Sequence, residues 1–350
     1  MAAAGGLGAG LRRAAPFPGA GWLRTVGVGV GVGVGVGAGP GARGWSCFAL
    51  SERAALRVRG PDAEPFLQGL LTNELPRLGP DVTDAPRARY AHCLNVQGRS
   101  LYDVILYRVH ERPDEEPHFL LEGDRTVLTA LQKHLLGYRI RRKVAVSPCP
   151  DVSLWAVLPG GEAGGDGPQR PPGALLWTPD PRAPCMGWRL VTGKEEAGGE
   201  VVAGGRLGSA REYREHRYRN GIPEGVRDLP PGAALPLESN LAFMNGVSFT
   251  KGCYVGQELT ARTHHTGVIR KRLFPVRLEK APPPGGLPPG AAVHTAAGKP
   301  AGKFRAGEGQ VGLALLRSEN VREALHVRLD DGSRLGLTPS VPDWWPRAGK

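Results

Sequence analysis

The sequence predicts an α+β body followed by a small C-terminal β-barrel, and three observations carry that reading. Strand-like and helix-like segments alternate from Ala55 to Gly221. A Pro/Gly-rich stretch, "APPPGGLPPG" (Ala281–Gly290), then reads as a rigid linker or long loop. Short β segments follow it at the spacing of a small barrel.

"ALRVRG" (Ala55–Gly60) alternates as a short strand. In "GPDAEPFLQGLLTNEL", Asp62 is placed to cap a helix whose Phe66, Leu67, Leu70 and Leu71 recur at helical spacing. "RYAHCLNVQGRSLYDVILYRV" contains two strands joined by a turn at Asn95–Gly98, a hairpin by its chemistry and length. "HFLLEG" (His118–Gly123) is a strand, and "DRTVLTALQKHLLGYRI" reads as a capped amphipathic helix. "VSLWAVL" and "GWRLVTG" are further strands, separated by "PGGEAGGDGPQRPPG" (Pro159–Gly173), which reads as a disordered surface insertion. "SAREYREHRYRNGIPEG" is a charged helix ending at Gly221. "AVHTA", "AGKFRAG", "VGLALLR" and "LHVRL" supply the barrel strands.

At 350 residues the chain holds two or three domains. Its net charge of +12 raises nucleic acid as a partner. The basic residues, however, are scattered singly among acids, and the densest runs, "YRIRRK" (Tyr138–Lys143) and "IRKR" (Ile269–Arg272), lack the interleaved aromatics of a single-strand-binding face. A solvated basic face is expected instead. The five cysteines are odd in number and hold no C-x-x-C pair, which argues against a disulfide scaffold or a self-contained zinc site. There is no dinucleotide-binding glycine loop after a strand, and no Walker, H-E-x-x-H or G-x-S-x-G motif.

Met1 to Ser51 contains no acid; its charged residues are Arg12, Arg13, Arg24 and Arg43. Early arginines without acids mark a mitochondrial transit peptide, here poor in Ser, with removal expected near Arg43–Ser46. The run Val26–Gly37 is half glycine and far shorter than the ~20 apolar residues of a spanning helix, so no transmembrane segment is expected. Losing the four arginines lowers the charge to about +8.

The stretch "KGCYVGQELTAR" (Lys251–Arg262) holds the chemistry. Gln257 to His264 reads as a helix preceded by Gly256, which puts Cys253 near the positive end of the helix dipole. Lys251 lies two residues away, and both effects favour the thiolate. Gly252 lets a ligand or partner approach the backbone. The alternative for Cys253 is a small buried hydrophobe, the state of most unpaired cysteines. His264 and His265 are adjacent on a helix and point apart by roughly 100°, which suits surface histidines better than a metal pair.

The same stretch resembles the K-G-C-Y-x-G-Q-E signature of the YgfZ family, a branch of the folate-dependent aminomethyltransferase superfamily that includes the glycine-cleavage T-protein. The likeness extends to "RGPDAEPFLQGLLTNE" (Arg59–Glu74), "LNVQGRSLYDVILYR" (Leu94–Arg108) and "GIPEG…LPLESN" (Gly221–Asn240). It covers most of the chain from about residue 48 to 345, and the transit-like start and "PDWWP" end are most similar to the family's mitochondrial iron–sulfur assembly branch. The resemblance implies a cloverleaf of three subdomains around a central channel, which in the transferases holds tetrahydrofolate. The expected division is a leader over 1–45, a folate-binding-type body over 48–265 and the barrel over 266–345.

Two positions separate the transferase reading from the assembly reading. Transferases of this kind carry consecutive acids after the glycine turn; this chain has Tyr102-Asp103. They also carry a pterin-holding carboxylate where this chain has Arg219, and an arginine cannot accept pterin N–H bonds. The resemblance therefore points to a mitochondrial-matrix assembly factor for 4Fe–4S proteins. A 2Fe–2S cluster needs several thiolates and Cys253 gives one, so an A-type carrier is the implied partner for the rest. In that setting Lys251 offsets the anionic cluster, Tyr254 lines the approach, Gln257 and Glu258 cap or orient the helix, and Arg262 contacts the motif or an anion. A tetrahydrofolate-dependent one-carbon transferase is the alternative, with Asp103 as a channel carboxylate. A thiol oxidoreductase lacks a nearby resolving cysteine.

Overall fold

The computed structural model describes residues 44–76, 87–109, 118–160, 168–194 and 201–346. In chain order the body contains β1 (Trp45–Ala49), β2 (Arg53–Arg59), α1 (Ala63–Gln68), β3 (Ala88–Leu94), β4 (Ser100–Val109), β5 (His118–Asp124), α2 (Leu128–Gly137) and β6 (Ala145–Pro148). It continues through β7 (Val152–Pro159), β8 (Ala174–Pro179), β9 (Trp188–Gly193), β10 (Arg206–Gly208), α3 (Ala210–Arg219), α4 (Gly225–Asp228) and α5 (Gln257–Thr266). The barrel strands are β11 (Lys271–Leu278), β12 (Ala292–Thr295), β13 (Pro300–Glu308), β14 (Val311–Arg317), β15 (Leu325–Arg328) and β16 (Arg334–Pro339).

Two five-stranded sheets, β3-β4-β5-β2-β6 and β10-β1-β7-β9-β8, face each other. Strand β4 shows why the sequence builds two layers. Ile105, Tyr107 and Val109 enter the core shared with Leu154, Ala156 and Leu158 of β7. Val104 and Leu106 point the other way, into a core closed by Leu67 of α1 and Leu131 and Leu135 of α2. A strand buried on both faces reads as a near-continuous apolar run, as "VILY" does. The last six strands close into a barrel, with β11 pairing both β14 and β16. Trp345 plugs its core against Phe274.

Several elements depart from expectation. Trp45, assigned to the leader, already belongs to β1, which pairs with β7 and β10. Gly44 before it is described too, its carbonyl accepting from Gly160 N (2.8 Å). Leader residues 1–43 lie outside the described residues, as do 161–167 of the insertion, and within that insertion's span Pro159 ends β7. Asp62 occupies the N-cap position of α1 without capping it; its carboxylate accepts from the backbone N of Lys143 instead (2.7 Å). Strands β11 and β16 went unread because Pro275 interrupts the first and Gly/Pro flank the second, and only their partners fix them. Among the described residues no helix is long and apolar enough to cross a membrane.

Candidate functional site

The motif is a loop stapled down at both ends with its cysteine left outside. Lys251 turns its ammonium into three backbone carbonyls at and just after the end of α1, those of Gln68 (2.7 Å), Leu71 (2.6 Å) and Asn73 (3.0 Å). Its charge also sits over the Tyr254 ring, 5.1 Å from the centroid. Partial burial lowers the Lys251 ammonium to about 8, against the opposing charge of Glu74. On the other side, Val255 N donates to Gly69 O (3.1 Å), and the Gln257 side chain accepts from Tyr254 N (3.0 Å). Gly256, at φ +77°, begins α5 in a conformation that glycine adopts without strain. A Cβ there would lie 2.2 Å from Asn95 O, so the hairpin turn between β3 and β4 docks directly on the helix start.

Between these anchors Cys253 is exposed; the other four cysteines are buried or half-buried, and none forms a disulfide. Burial pushes the Cys93 and Cys185 thiols up to about 12. Gly252 has no left-handed φ, and a Cβ there would meet nothing within 4 Å. The fold itself has no use for glycine at that position. Among the described residues no group of three or more His, Cys, Asp and Glu is arranged to hold a metal ion.

The structure gives two of these side chains a part in the loop's own packing. Lys251 donates to three carbonyl oxygens and so fixes the loop. Tyr254 is buried beneath that ammonium, its hydroxyl raised to about 12 first by burial. Gln257 orients the helix start as expected, whereas Glu258 and Arg262 are exposed and form no ion pair among the described residues. His264 stacks on Phe249 with centroids 3.6 Å apart, consistent with a surface histidine.

Tyr102 and Asp103 project to opposite faces of β4, as neighbours in a strand must. Tyr102 meets His134 of α2. Asp103 is buried between the sheets, where Arg53 Nη1 (3.1 Å) and Gly225 N (3.0 Å) donate to it. Burial pushes its carboxyl above the ordinary range despite Arg53. Arg219 is exposed and paired with Glu215 (2.7 Å), away from that junction.

Sequence reasoning missed what occupies the junction. Arg182 and Arg189 are fully buried there, donating to Glu224 at 2.7 and 3.0 Å and to Asp180 at 2.8 and 2.9 Å. Burial would raise Glu224, but Arg182, Arg217, Arg53 and Arg189 hold it well below its usual range. The parity of the strands was the available signal: Arg53, Asp103, Glu122 and Arg189 all share the inward face with core residues such as Ala55, Ile105, Leu120 and Val191. The expected carboxylate, Asp103, accepts from Arg53 and Gly225, and Glu122, Asp180 and Glu224 accept from Arg189.

The comparisons agree with this architecture. Residues 270–347 match the family model described as "CAF17, C-terminal beta-barrel domain". "Iron-sulfur cluster assembly factor IBA57, mitochondrial" of Homo sapiens is 61% identical over 312 residues, covering 87% of each chain. Its Mus musculus counterpart is 59% identical over 313 residues, again covering 87% of each. The homologue from Mycosarcoma maydis is 35% identical over 353 residues, covering 86% of this chain and 85% of its own. The glycine cleavage system aminomethyltransferase T from Bartonella henselae superposes with a TM-score of 0.65 over 86% of each chain at 16% identity, a shared fold.

Proposed function

The chain belongs to the IBA57 family of mitochondrial iron–sulfur cluster assembly factors, and from that premise we propose that it acts in the mitochondrial matrix, after removal of an N-terminal transit peptide, in the late maturation of 4Fe–4S proteins. Cys253 gives one thiolate to a 2Fe–2S cluster whose other ligands come from an A-type carrier. The cluster is cargo. The observation that carries this reading is the exposed thiol on a doubly anchored loop, in a structure with no group of three or more metal-ligating side chains among the described residues. A thiol must lose its proton as the iron–sulfur bond forms, and an exposed position lets that proton leave to water. A pinned loop limits the entropy lost when the bridge closes. Gly252 leaves backbone space beside the sulfur for the incoming partner.

The residues that would serve folate-dependent transfer are paired within the chain, Asp103 with Arg53 and Arg219 with Glu215. The test is reconstitution of an apo 4Fe–4S client from a 2Fe–2S-loaded carrier, with client activity as readout. Cys253→Ala is expected to drop client activation to the level without the chain. Full activation by that variant contradicts the proposal.

A further inference from the structure

The segment Tyr138–Lys143 after α2 is exposed at every residue. Ile140 is 74% exposed and Tyr138 37%, while Arg139, Arg141, Arg142 and Lys143 surround them. None of these four cations forms an ion pair among the described residues. Arg141 holds φ +56°, a left-handed turn that a non-glycine residue adopts at a cost. Arg139 Nη1 donates to Val144 O (3.3 Å), whereas the side chains of Arg141, Arg142 and Lys143 make no hydrogen bond among the described residues; these cations repel one another, and Ile140 leaves apolar surface in water.

The position of this loop relates it to the thiol. Lys143 N is held by Asp62 at the start of α1, and Lys251 by the Gln68 and Leu71 carbonyls at its end. The six-residue helix spans roughly 9 Å, so one short rigid rod anchors both loops.

We propose that Tyr138–Lys143 is a docking arm for the protein that delivers the cluster, and that this partner presents an acidic face with an apolar contact for Ile140. The inference rests on the cluster-sharing reading above and adds a second contact region to it. The cations steer the encounter, and Ile140 supplies the short-range contact. A partner carrying an anionic thiolate-bound cluster approaches a chain whose motif region from Val247 to Lys271 holds a single acid, Glu258, against Lys251, Arg262, Arg270 and Lys271, so the arm and the motif region are both net positive. An acidic protein fits better than a bilayer because the arm shares its support with the thiol loop.

The experiment measures binding of a purified A-type carrier, apo and 2Fe–2S-loaded, to the full chain at low and high salt. The variants are Arg142→Glu/Lys143→Glu and Ile140→Ser, with melting temperature and the Cys253 alkylation rate as controls. The charge-reversed chain is expected to bind at least tenfold more weakly at low salt, with the difference shrinking at high salt and both controls unchanged. Ile140→Ser is expected to weaken binding severalfold at either salt. Wild-type affinity of the charge-reversed chain at low salt overturns the proposal, as does a loss independent of salt. So does unchanged carrier affinity with lost sedimentation on phosphatidylcholine–cardiolipin vesicles, which makes the arm a membrane contact. Failure of the cluster-sharing reading is read separately, from a coloured complex that survives Cys253→Ser.

Discussion

Replacing Lys251 by methionine separates a loop staple from a thiol activator. The substitution keeps the stem over Tyr254 but removes the ammonium that satisfies three carbonyls. A hydrogen bond to a charged group contributes about 1.5–3 kcal/mol when buried. Lys251 is half-buried and water can reclaim part of the loss, so we expect the loop to open more easily by about 2–3 kcal/mol in total. At 1.4 kcal/mol per tenfold, protection of the amides of Lys251 and Val255 against hydrogen exchange falls by about 30- to 140-fold. Strand β4 amides in the core keep theirs. Lys251→Arg restores the charge but not the geometry, because a planar fork cannot converge on three carbonyls at once, and is expected to rescue little. If Lys251 acted on the sulfur through its charge, arginine would preserve the Cys253 alkylation rate, and methionine would slow it without changing exchange. That pattern, or unchanged protection in Lys251→Met, refutes the staple.

The remaining predictions address the backbone beside the sulfur, the junction and pH. Gly252→Val should leave urea stability within ~0.5 kcal/mol of wild type, since its side chain meets open space, while weakening the cluster-bridged complex about tenfold or more in a titration with loaded carrier. Arg189→Leu strips a partner from Glu122, Asp180 and Glu224 together and should cost about 3–5 kcal/mol in urea unfolding. His92 is buried between Ser100 Oγ (2.8 Å) and Tyr90 OH (3.1 Å), and burial lowers it from 6.5 to about 3. Between those values the unfolded chain binds a proton that the folded chain refuses, so stability falls as pH drops. The loss from pH 6.5 to 5 is about 1.6 kcal/mol, and His92→Gln should remove that increment from the difference between urea curves at the two pH values.

Local chemistry made much of this molecule legible and long-range pairing hid the rest. The Asn95–Gly98 turn, the capped charged helix α3 and the Gly256-led helix α5 follow from side chains within a few residues of one another, and each stands where the sequence put it. Strand β10 has three residues and β8 lies in a Pro/Gly-rich region; neither has a pattern until β1 and β9 supply a register. The site divides the same way. Cys253, Gly252 and Gln257 could be placed from the motif alone. Lys251 could not, because its carbonyls lie some 180 residues earlier in the chain and a lysine near a cysteine suggests charge before geometry. The arginine–carboxylate junction was hidden because charged residues in strands read as solvent-facing; the core residues two positions away were the clue.

The central claim is that Cys253 supplies one ligand of a cluster shared with a partner. The most direct measurement mixes the mature chain anaerobically with an A-type carrier and a 2Fe–2S source, then follows visible absorption across a size-exclusion column for wild type and Cys253→Ser. The account predicts a coloured heterocomplex for wild type and, for the variant, colour confined to the carrier alone. A coloured complex of equal yield with Cys253→Ser contradicts it.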